Sequence, residues 1–360
     1  MNYNQLLSEP MKTKPKSHRA SRQTSSATPP KVLRLHYNES HYGMSPKVKE
    51  TFLKCVNSSH IYQDWFAIEL KEALSQFYGV DKTCILPTAG SSALIDMIGA
   101  IFINPGDEVI FGYPTFEAFR DMAHDYGGIP VPIRLDESFC FDLDAIYHAI
   151  TPKTKIIVIC NPNNPTGTFI ESSKIEAFIR KIPENIIVVV DEAYLDFVEA
   201  KDCYSMVKMI REGYEKPLIV LKTFSKIYGM ASLRVGYGIT QPGIIDELSK
   251  SAHAWNVSQV GQKCAIAAIS DQEFIMDVKQ KNNLSRQYVQ KELEALGCQV
   301  IPSQTNFIYF LSSLKPEILT QELAQRDIRI GTFAYNRISL GTMEMNQRFI
   351  AAMKDIFQKK

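Results

Sequence analysis

The sequence predicts an α/β fold: a large domain with a mostly parallel, seven-stranded-type sheet covered by helices on both faces, and a smaller α+β domain. Five apolar runs recur in the first two thirds of the chain, and helical patterns separate most of them. Their hydrophobicity is continuous rather than alternating, as expected of parallel strands that are covered on both faces. After about Pro242 the pattern changes to long helices and short strands, which predicts the second domain.

Each element is supported by local signals. Ser45 followed by Pro46 predicts the start of a helix that runs to about Asn57, because serine caps helices and proline suits their first turn. An amphipathic stretch over residues 69–78 ends at Gly79, a typical helix stop. The predicted strands of the large domain are residues 108–111, 155–159, 185–190, 218–221 and 234–239. The second domain is predicted to contain a long helix at 273–296 and strands at 299–301, 307–310, 328–330 and 337–340, completed by the segment before Tyr42.

Composition separates the first 31 residues from the rest of the chain. They are basic, rich in serine and poor in acids, which is typical of a transit peptide as well as of a disordered tail. We favour a disordered tail over residues 1–31, because such a composition cannot bury enough surface to fold. An N-terminal arm is predicted over residues 32–50, the large domain over 51–242 and the small domain over 243–360.

The overall charge and the cysteines narrow the class of protein. A formal net charge of +1 suggests neither nucleic acid nor an anionic membrane as a partner. The seven scattered cysteines include no Cys-x-x-Cys, which favours reduced thiols in a cytoplasmic protein over a disulfide framework or a zinc site. No apolar run approaches the ~20 residues of a membrane span. We therefore expect a cytoplasmic protein that binds no metal, nucleic acid or membrane.

The most informative run surrounds Lys226. The run follows the predicted strand at 218–221, and so lies at the edge of a parallel sheet, where ligands bind. Thr223 and Ser225 precede the lysine, and Arg234 follows it by eight residues. A lysine that forms a Schiff base and groups that hold a phosphate are what a protein needs to bind pyridoxal phosphate. A serine–lysine pair near an arginine is more often ordinary surface, so other segments must decide.

Two further segments follow predicted strands with groups that suit this cofactor. Residues 161–167 (Asn-Pro-Asn-Asn-Pro-Thr-Gly) form a turn in which Asn164 could aim its amide at the ring hydroxyl. Asp191 follows the strand at 185–190, where a carboxylate could keep the pyridine nitrogen protonated, although a helix cap explains an aspartate there equally well. Tyr194 lies three residues further on and could share the ring hydroxyl with Asn164.

Ser91 and Ser92 lie in a small-residue turn that enters a predicted helix. The N–H groups of a helix N-terminus form a ready phosphate site, and the two hydroxyls would add donors to it. The same segment could equally be a capped helix start without a ligand.

In this order along the chain, these motifs resemble the pyridoxal-phosphate-dependent aminotransferases of the aspartate aminotransferase fold, which are class I/II enzymes of fold type I. The closest resemblance is to the histidinol-phosphate aminotransferase branch, and it extends from about Leu33 to the C-terminus. Further matching motifs lie at residues 37–39, 43–46, 62–64, 255–258 and 302–307. The resemblance implies pyridoxal phosphate as cofactor and a homodimer with shared active sites.

The resemblance also implies a role for each matching residue. Lys226 would hold the cofactor covalently and, once substrate displaces it, move a proton at the substrate Cα, with Asp191 and Tyr194 completing the catalytic set. Arg337 would grip the substrate α-carboxylate in a bidentate pair, and Asn38 would also bind substrate. The implied cofactor-binding set is Ser91, Ser92, Phe116 (stacked on the pyridine ring), Asn164, Asp191, Tyr194, Thr223, Ser225, Lys226 and Arg234, with Tyr62 reaching the phosphate of the neighbouring subunit.

Two departures from the branch bear on the substrate. Its members typically carry a Val-Arg pair shortly before the carboxylate arginine, and that arginine binds the substrate phosphate, but this chain has Ile330-Gly331 there. Their usual Asn-Glu-Asn-Pro is Asn-Glu-Ser-His at residues 38–41. Arg329 lies nearby, but strand alternation should turn it to the opposite face from Ile330. Because a buried site without a fixed cation holds a phosphate dianion poorly, we expect an aromatic or apolar amino acid rather than histidinol phosphate.

We therefore predict an aminotransferase that exchanges an amino group between an L-amino acid and a 2-oxo acid. Phe333, Tyr335 and Tyr42 suit an aromatic or apolar substrate, although aromatic residues at such positions are more often core. The alternative is decarboxylation on the same scaffold, as in the threonine-phosphate decarboxylases. A non-catalytic regulator is disfavoured because the tail is too short for a DNA-binding module, and a nicotinamide enzyme because no Gly-x-Gly-x-x-Gly follows a strand.

Overall fold

The computed structural model describes residues 9–13 and 32–358, which form two β-sheets flanked by helices. The strands are β1 Leu33–Leu35, β2 Ile85–Thr88, β3 Glu108–Tyr113, β4 Ile129–Arg134, β5 Thr154–Cys160, β6 Ile187–Asp191, β7 Leu218–Thr223, β8 Gly236–Ile239, β9 Gln299–Ile301, β10 Phe307–Leu311, β11 Ile328–Thr332 and β12 Asn336–Ser339. The helices are α1 Glu9–Thr13, α2 Pro46–Cys55, α3 Ile68–Tyr78, α4 Ser91–Phe102, α5 Ala118–Asp125, α6 Leu143–His148, α7 Ser172–Lys181, α8 Val207–Arg211, α9 Pro242–Ser249, α10 Gln259–Ile269, α11 Gln272–Ala295, α12 Pro316–Ala324 and α13 Met343–Gln358. The α/β fold predicted from the sequence is confirmed.

The larger sheet has seven strands in the order β2-β8-β7-β6-β5-β3-β4. Strands β4, β3, β5, β6 and β7 pair in parallel, whereas β8 is antiparallel to both of its neighbours. The sheet is therefore mostly parallel, as predicted. The carboxyl ends of β5, β6 and β7 meet at one edge, and the register aligns Cys160 with Asp191 and Asp191 with Leu221. The candidate site lies at this edge, where parallel sheets bind ligands.

Local sequence signals placed the first two predicted helices correctly. Ser45 caps α2, and its hydroxyl accepts a hydrogen bond from Val48 N at 3.2 Å. Gly79 ends α3 in the left-handed conformation, which glycine adopts without a Cβ penalty. Because these signals act within one turn of the helix end, they need no tertiary context.

Strands β2 and β4 were not predicted, and both contain proline. Pro87 lies in β2, and Pro130 and Pro132 lie in β4. Proline lacks the N–H that a central strand needs, so it argues against a strand in a sequence. Both strands are the outermost members of the sheet, where one side of each strand needs no ladder partner.

The smaller sheet has five strands in the order β1-β11-β12-β10-β9. Strand β1 pairs in parallel with β11, so the segment before Tyr42 does complete this sheet. In β11 the side chain of Arg329 is exposed and that of Ile330 is buried, which confirms the predicted alternation. The core beneath this sheet is separate from the larger core, which includes α11 as far as Val278 and also Phe307 of β10. The limits given above for the domains stay predictions.

Part of the predicted N-terminal tail lies within the described residues. Residues 9–13 form the short helix α1, which packs near α5. The disordered tail stays a prediction. The rest of that prediction lies outside the described residues. No described helix is both long enough and apolar enough to cross a membrane. All seven cysteines are within the described ranges and none forms a disulfide.

Candidate active site

Lys226 lies on the loop after β7, at the carboxyl edge of the large sheet. Its side chain is half-buried, and its Nζ donates a hydrogen bond to Tyr37 O at 3.3 Å. The same Nζ lies 5.4 Å from the centre of the Tyr194 ring. The amine therefore faces a neutral carbonyl and an aromatic ring in a partly enclosed space.

Asp191 is the last residue of β6 and is only 4% exposed. Its Oδ1 accepts a hydrogen bond from Ala193 N at 3.0 Å. Burial raises the pKa of Asp191 to about 6, although the positive charge of Lys226 partly opposes that effect. Burial destabilises the ionised carboxylate, and a cation placed beside it stabilises that form. A protonated pyridine nitrogen would be such a cation.

Arg234 lies beside the head of helix α4. Its Nη1 donates to Ala231 O at 2.8 Å and to Ser225 Oγ at 3.4 Å. A Cβ built on Gly90, the residue before α4, would stand 3.0 Å from Arg234 Cζ and closer still to Nη2. Only glycine at position 90 therefore leaves room for the guanidinium at the start of this helix.

The first turn of α4 and the end of β7 complete a cradle around this guanidinium. Ser91 and Ser92 are the first two helical residues, and amides at a helix N-terminus have no acceptor within the helix. A Cβ on Gly236 would stand 3.0 Å from the Cα of Gly90 and closer still to Ser91 N, and Gly236 pairs with Thr223 across the sheet. Hydroxyls, helix amides and a guanidinium thus converge, which is the donor set that a phosphate group needs. The residues present fit pyridoxal phosphate.

Arg337 and Asn164 are brought together from distant parts of the chain. Arg337 Nη1 donates to Asn164 Oδ1, and Nη2 donates to His36 O at 2.7 Å. The guanidinium Cζ lies 5.3 Å from the ring centre of Phe307 and 4.9 Å from that of Phe333. Arg337 is only 7% exposed, so its guanidinium is fixed in orientation beside the loop of residues 161–167, which carries Asn164.

Tyr194 and Asn38, which the sequence predicted for cofactor and substrate, are hydrogen-bonded to each other. Tyr194 Oη accepts from Asn38 Nδ2 at 3.0 Å. Asn38 adopts a left-handed backbone with φ 56°, and its Oδ1 accepts from Ser339 Oγ at 2.9 Å. Because Tyr194 Oη is the acceptor in its bond with Asn38, its own hydroxyl proton can be donated to another group.

Phe116 follows β3 and is half-buried. Its ring meets Phe119 edge-on, with centroids 6.0 Å apart. The preceding residue, Thr115, donates from Oγ1 to Asn163 Oδ1 at 2.7 Å, which ties the Phe116 loop to the asparagine loop that carries Asn164.

Tyr62, the residue predicted to reach a neighbouring subunit, lies on the exposed surface. Its side chain is 76% exposed and stacks on Trp255, with ring centroids 4.5 Å apart. Trp65 also meets Trp255, at 4.9 Å. The role of Tyr62 stays a prediction.

Tyr335, which the sequence analysis named, lies between the two sheets with two aromatic residues that it did not name, Tyr309 and Phe139. Tyr309 of β10 stacks on Tyr335 at 5.1 Å, and Phe139 meets Tyr335 at 5.6 Å from the side of the large sheet. Burial raises the pKa of Tyr309 to about 12, although Arg337 opposes the shift. Tyr309 belongs to an apolar strand, and so its sequence context indicated only core.

Phe139 lies in a turn that the sequence does not indicate. Its backbone has φ 62°, a left-handed conformation in which glycine is usually expected. Asp136 Oδ1 accepts from Ser138 N at 2.9 Å and from Cys140 N at 2.8 Å, which holds that turn. Phe139 O accepts from Thr168 Oγ1 at 2.7 Å, so the turn is attached to the strand exit that carries the asparagine loop.

Gly331 stands next to Arg337 in the small sheet and is paired with it across β11 and β12. A Cβ at this position would lie 3.0 Å from Phe333 Cε2 and 3.3 Å from Arg337 O. A side chain at position 331 would therefore crowd the edge of the Phe333 ring, which would have to shift to admit it. Arg329, two residues earlier in β11, is exposed and lies on the opposite face from Ile330.

The chain is similar to known proteins along most of its length. The profile of the family described as "Aminotransferase class I and II" matches residues 30–353. The chain is 34% identical over 333 residues to "Histidinol-phosphate aminotransferase" of Moorella thermoacetica, covering 90% of this chain and 85% of that protein. It is 36% identical over 332 residues to the protein of the same name from Caldicellulosiruptor saccharolyticus, covering 91% and 92% of the two. The crystal structure of histidinol-phosphate aminotransferase from Sinorhizobium meliloti in complex with pyridoxal-5'-phosphate matches with a TM-score of 0.85 at 26% identity, over 91% of each chain.

Proposed function

The chain belongs to the class I and II aminotransferases, with pyridoxal phosphate as cofactor, and we propose that it exchanges an amino group between an aromatic or apolar L-amino acid and a 2-oxo acid. The observation that carries the choice of substrate is the ring of Phe333, which fills the space beside Gly331. The residue roles below are part of the same proposal.

Three groups of this chain would hold the cofactor. Arg234, with the hydroxyls beside it and the first turn of α4, would bind the phosphate. Asp191, whose pKa is about 6 and which is therefore ionised at neutral pH, would keep the pyridine nitrogen protonated. The remaining donor of Asn164, its Nδ2, and the Tyr194 hydroxyl would both reach the ring oxygen. When bound, pyridoxal phosphate supplies an electron sink for the pair left on the substrate Cα after proton loss.

Lys226 would move the proton at the substrate Cα. Its Nζ is held by a single bond of 3.3 Å to a neutral carbonyl, Tyr37 O, so a modest change of rotamer frees it to accept a proton. Arg337 would orient the substrate by binding its α-carboxylate through the two guanidinium nitrogens now facing Asn164 and His36. These contacts would put the substrate carboxylate next to the loop that carries Asn164, and this position would fix the orientation of the substrate Cα.

The side chain of the substrate would meet aromatic rings rather than a cation. Phe333 covers one side of Arg337, and the stacked pair of Tyr309 and Tyr335 lies beside it. Phe139 closes the group from the large sheet. Edge-on and offset ring contacts favour an aromatic or apolar side chain, whereas a phosphate dianion needs a fixed positive charge.

Histidinol phosphate is the second candidate, and the relatives favour it. The proteins from Moorella thermoacetica and Caldicellulosiruptor saccharolyticus carry that name at 34% and 36% identity. Against it stands position 331, where the chain has glycine in place of the phosphate-binding arginine and where even a Cβ would crowd the Phe333 ring. Decarboxylation is less supported, since these relatives are aminotransferases.

A panel of amino donors separates these possibilities. Purified holoenzyme is mixed with each donor in a single turnover, and conversion of the cofactor to its pyridoxamine form is followed by absorbance. Phenylalanine, tyrosine and leucine are compared with histidinol phosphate, and histidinol serves as a matched control that differs from histidinol phosphate only by the phosphate. We expect aromatic donors to react about tenfold faster or more than histidinol phosphate, which should gain nothing over histidinol. A clear preference for histidinol phosphate would refute the proposed substrate, and carbon dioxide release without amination would indicate decarboxylation.

We also propose that two copies of the chain share their active sites. Tyr62, Trp65 and Trp255 form an exposed aromatic patch, which also includes Phe66, and large exposed apolar patches mark interfaces. The patch adjoins the phosphate cradle, because Asn256 Oδ1 accepts from Ala89 N at 3.2 Å. A second copy placed there would bring its own Tyr62 toward this cradle.

Mixing two inactive variants tests the shared site. Lys226→Ala removes the lysine, and Tyr62→Ala weakens cofactor binding in the neighbouring subunit. A mixed dimer contains one site with both an intact lysine and an intact tyrosine, so unfolding and refolding the two chains together should restore activity and tight cofactor binding. Light scattering measures the mass at the same time. A monomeric protein, or a mixture no more active than the sum of its parts, would contradict shared sites.

A further inference from the structure

A buried ion cluster lies directly behind Asp191, on the other face of the large sheet. Lys222 Nζ stands 3.3 Å from Glu192 Oε2 and 3.8 Å from Asp196 Oδ1. Lys222 is 3% exposed and Glu192 is 2% exposed. Asp191 is the register partner of Leu221, so strand alternation turns Asp191 to the cofactor side and Lys222 with Glu192 to the opposite side.

Glu192 accepts several hydrogen bonds within the cluster. Glu192 accepts from Ser205 Oγ at 2.6 Å and from Met206 N at 2.7 Å, in addition to Lys222. Beyond the lysine, the ring centre of Tyr78 lies 5.9 Å from Nζ. The carboxylate of Glu192 is thus held in one place, one residue away from the carboxylate of Asp191.

Stability alone does not account for an ion pair at this depth. Taking two charges out of water costs several kcal/mol per ion, and apolar residues of similar size are often neutral or better replacements. The position of the pair is more informative than its strength. Asp191 and Glu192 are consecutive carboxyl groups buried at the same strand end, and without a cation both could not remain ionised.

We propose that Lys222 is a positioning residue for the cofactor: by neutralising Glu192 behind the sheet, it lets Asp191 keep the negative charge that faces the pyridine nitrogen. The same contact ties the end of β6 to β7, which leads to Lys226. This inference rests on the role given to Asp191 in the proposed function. It adds a residue that touches neither cofactor nor substrate.

The charges around Asp191 agree in direction with this arrangement. Burial dominates and raises the pKa of Asp191. The charge of Glu192, the first residue after β6, raises it further, and the charges of Lys226 and Lys222 lower it. The group facing it from β5 is the Cys160 thiol, whose pKa burial raises well above its usual value, so this thiol is neutral. For Lys222, burial by itself lowers the pKa, but the charges of Asp196 and Glu192 outweigh it and raise the pKa, so the ammonium form persists.

The pH dependence of cofactor affinity tests the proposal, because it reports the ionisation of Asp191. The dissociation constant of pyridoxal phosphate is measured by equilibrium dialysis from about pH 5 to pH 9, a range that spans the titration of a buried carboxylate. Titrations of the cofactor itself are common to all variants and cancel in the comparison. Denaturant unfolding of each cofactor-free variant separates loss of fold from loss of affinity.

The two single variants should shift this pH dependence in opposite directions. Lys222→Met leaves Glu192 without its cation, so the pH below which affinity falls should move upward, with about a tenfold loss of affinity on the acid side for each pH unit moved. Glu192→Gln removes the competing carboxylate, so the midpoint should move downward. The double variant should return close to the wild-type midpoint, although each single change lowers stability. Lys82→Met, at an exposed lysine paired with Glu72 at 3.0 Å, is the matched control and should change neither quantity.

The midpoints of the single variants test the role of Lys222. Unchanged midpoints in Lys222→Met and Glu192→Gln, with only stability lowered, would overturn the proposal and leave the pair a structural element. If Lys222→Met does not fold, the direction of the Glu192→Gln shift decides alone. Asp191→Asn tests the role of Asp191 separately. If this variant keeps the wild-type cofactor affinity, the proposed role of Asp191 is wrong. If Asp191→Asn loses affinity but Lys222→Met shows no shift of the midpoint, only the role of Lys222 is refuted.

Discussion

Replacing Gly90 with alanine probes the phosphate cradle at a single backbone position. Gly90 precedes α4 with φ 83° and ψ 159°, a conformation that residues with a Cβ rarely adopt. The added Cβ would also stand 3.0 Å from Arg234 Cζ and closer still to Nη2, so the guanidinium must leave the head of the helix. One substitution therefore strains the backbone and displaces the guanidinium that we propose holds the cofactor phosphate.

The two effects of Gly90→Ala have separate magnitudes. Backbone strain should lower the free energy of unfolding by about 1–3 kcal/mol. Displacing Arg234 removes a charge-assisted hydrogen bond to the phosphate, worth about 1.5–3 kcal/mol. That loss corresponds to cofactor binding that is about ten- to a hundredfold weaker.

Gly213→Ala is the matched control for this prediction. Gly213 has φ 82°, and a Cβ there would meet nothing within 4 Å, so it carries the strain without the collision. Denaturant unfolding of the cofactor-free protein measures stability, and equilibrium dialysis measures affinity for pyridoxal phosphate. Both variants should lose stability, and only Gly90→Ala should lose affinity. Equal cofactor affinity in the two variants would refute the placement of the phosphate against Arg234 and Gly90.

Three more predictions concern residues of the same site. Lys226→Ala should abolish the visible absorbance of the lysine-bound cofactor and its borohydride trapping, seen as an unmodified intact mass; a trapped adduct in this variant would place the covalent bond elsewhere. Asp191→Asn should stabilise the cofactor-free protein by about 3 kcal/mol at pH 7, because the pKa of Asp191 rises from 3.8 unfolded to about 6 folded. That gain should shrink as pH falls through 6 and vanish below 3.8, where the carboxyl is neutral in both states, so a gain independent of pH would contradict the cause. Gly331→Arg alone should not raise turnover of histidinol phosphate, because Phe333 fills the space, whereas Gly331→Arg with Phe333→Ala should; a gain in the single variant would show that Phe333 does not block the site.

Much of the cofactor site could be predicted because its residues lie at strand ends within short, specific runs. The lysine loop after β7, the asparagine loop after β5 and Asp191 at the end of β6 all reach the same sheet edge. Parallel strands that follow one another in the sheet bring such ends together, so order along the chain was enough. The serines of α4 joined them because a helix N-terminus is a recognisable signal.

The contacts around the substrate arginine could not be predicted in the same way. The backbone carbonyls of His36 and Tyr37 accept hydrogen bonds from Arg337 and Lys226. Every residue has such a carbonyl, so residue type does not predict these contacts. Phe139 reaches Tyr335 across the space between the two sheets, a pairing of residues almost two hundred positions apart. Proline in β2 and β4 likewise concealed strands that only their outermost position in the sheet permits.

By itself the sequence determined the fold class, the cofactor and the lysine that would hold it, because continuous apolar runs and short loop motifs act over a few residues. It also marked Gly331 as the place where a phosphate-binding arginine is absent. Only the tertiary structure decided what stands there instead, a phenylalanine ring packed on Arg337, and which charge balances the carboxylate next to Asp191. Both depend on burial and on pairing between strands, and such properties arise only when distant segments pack together.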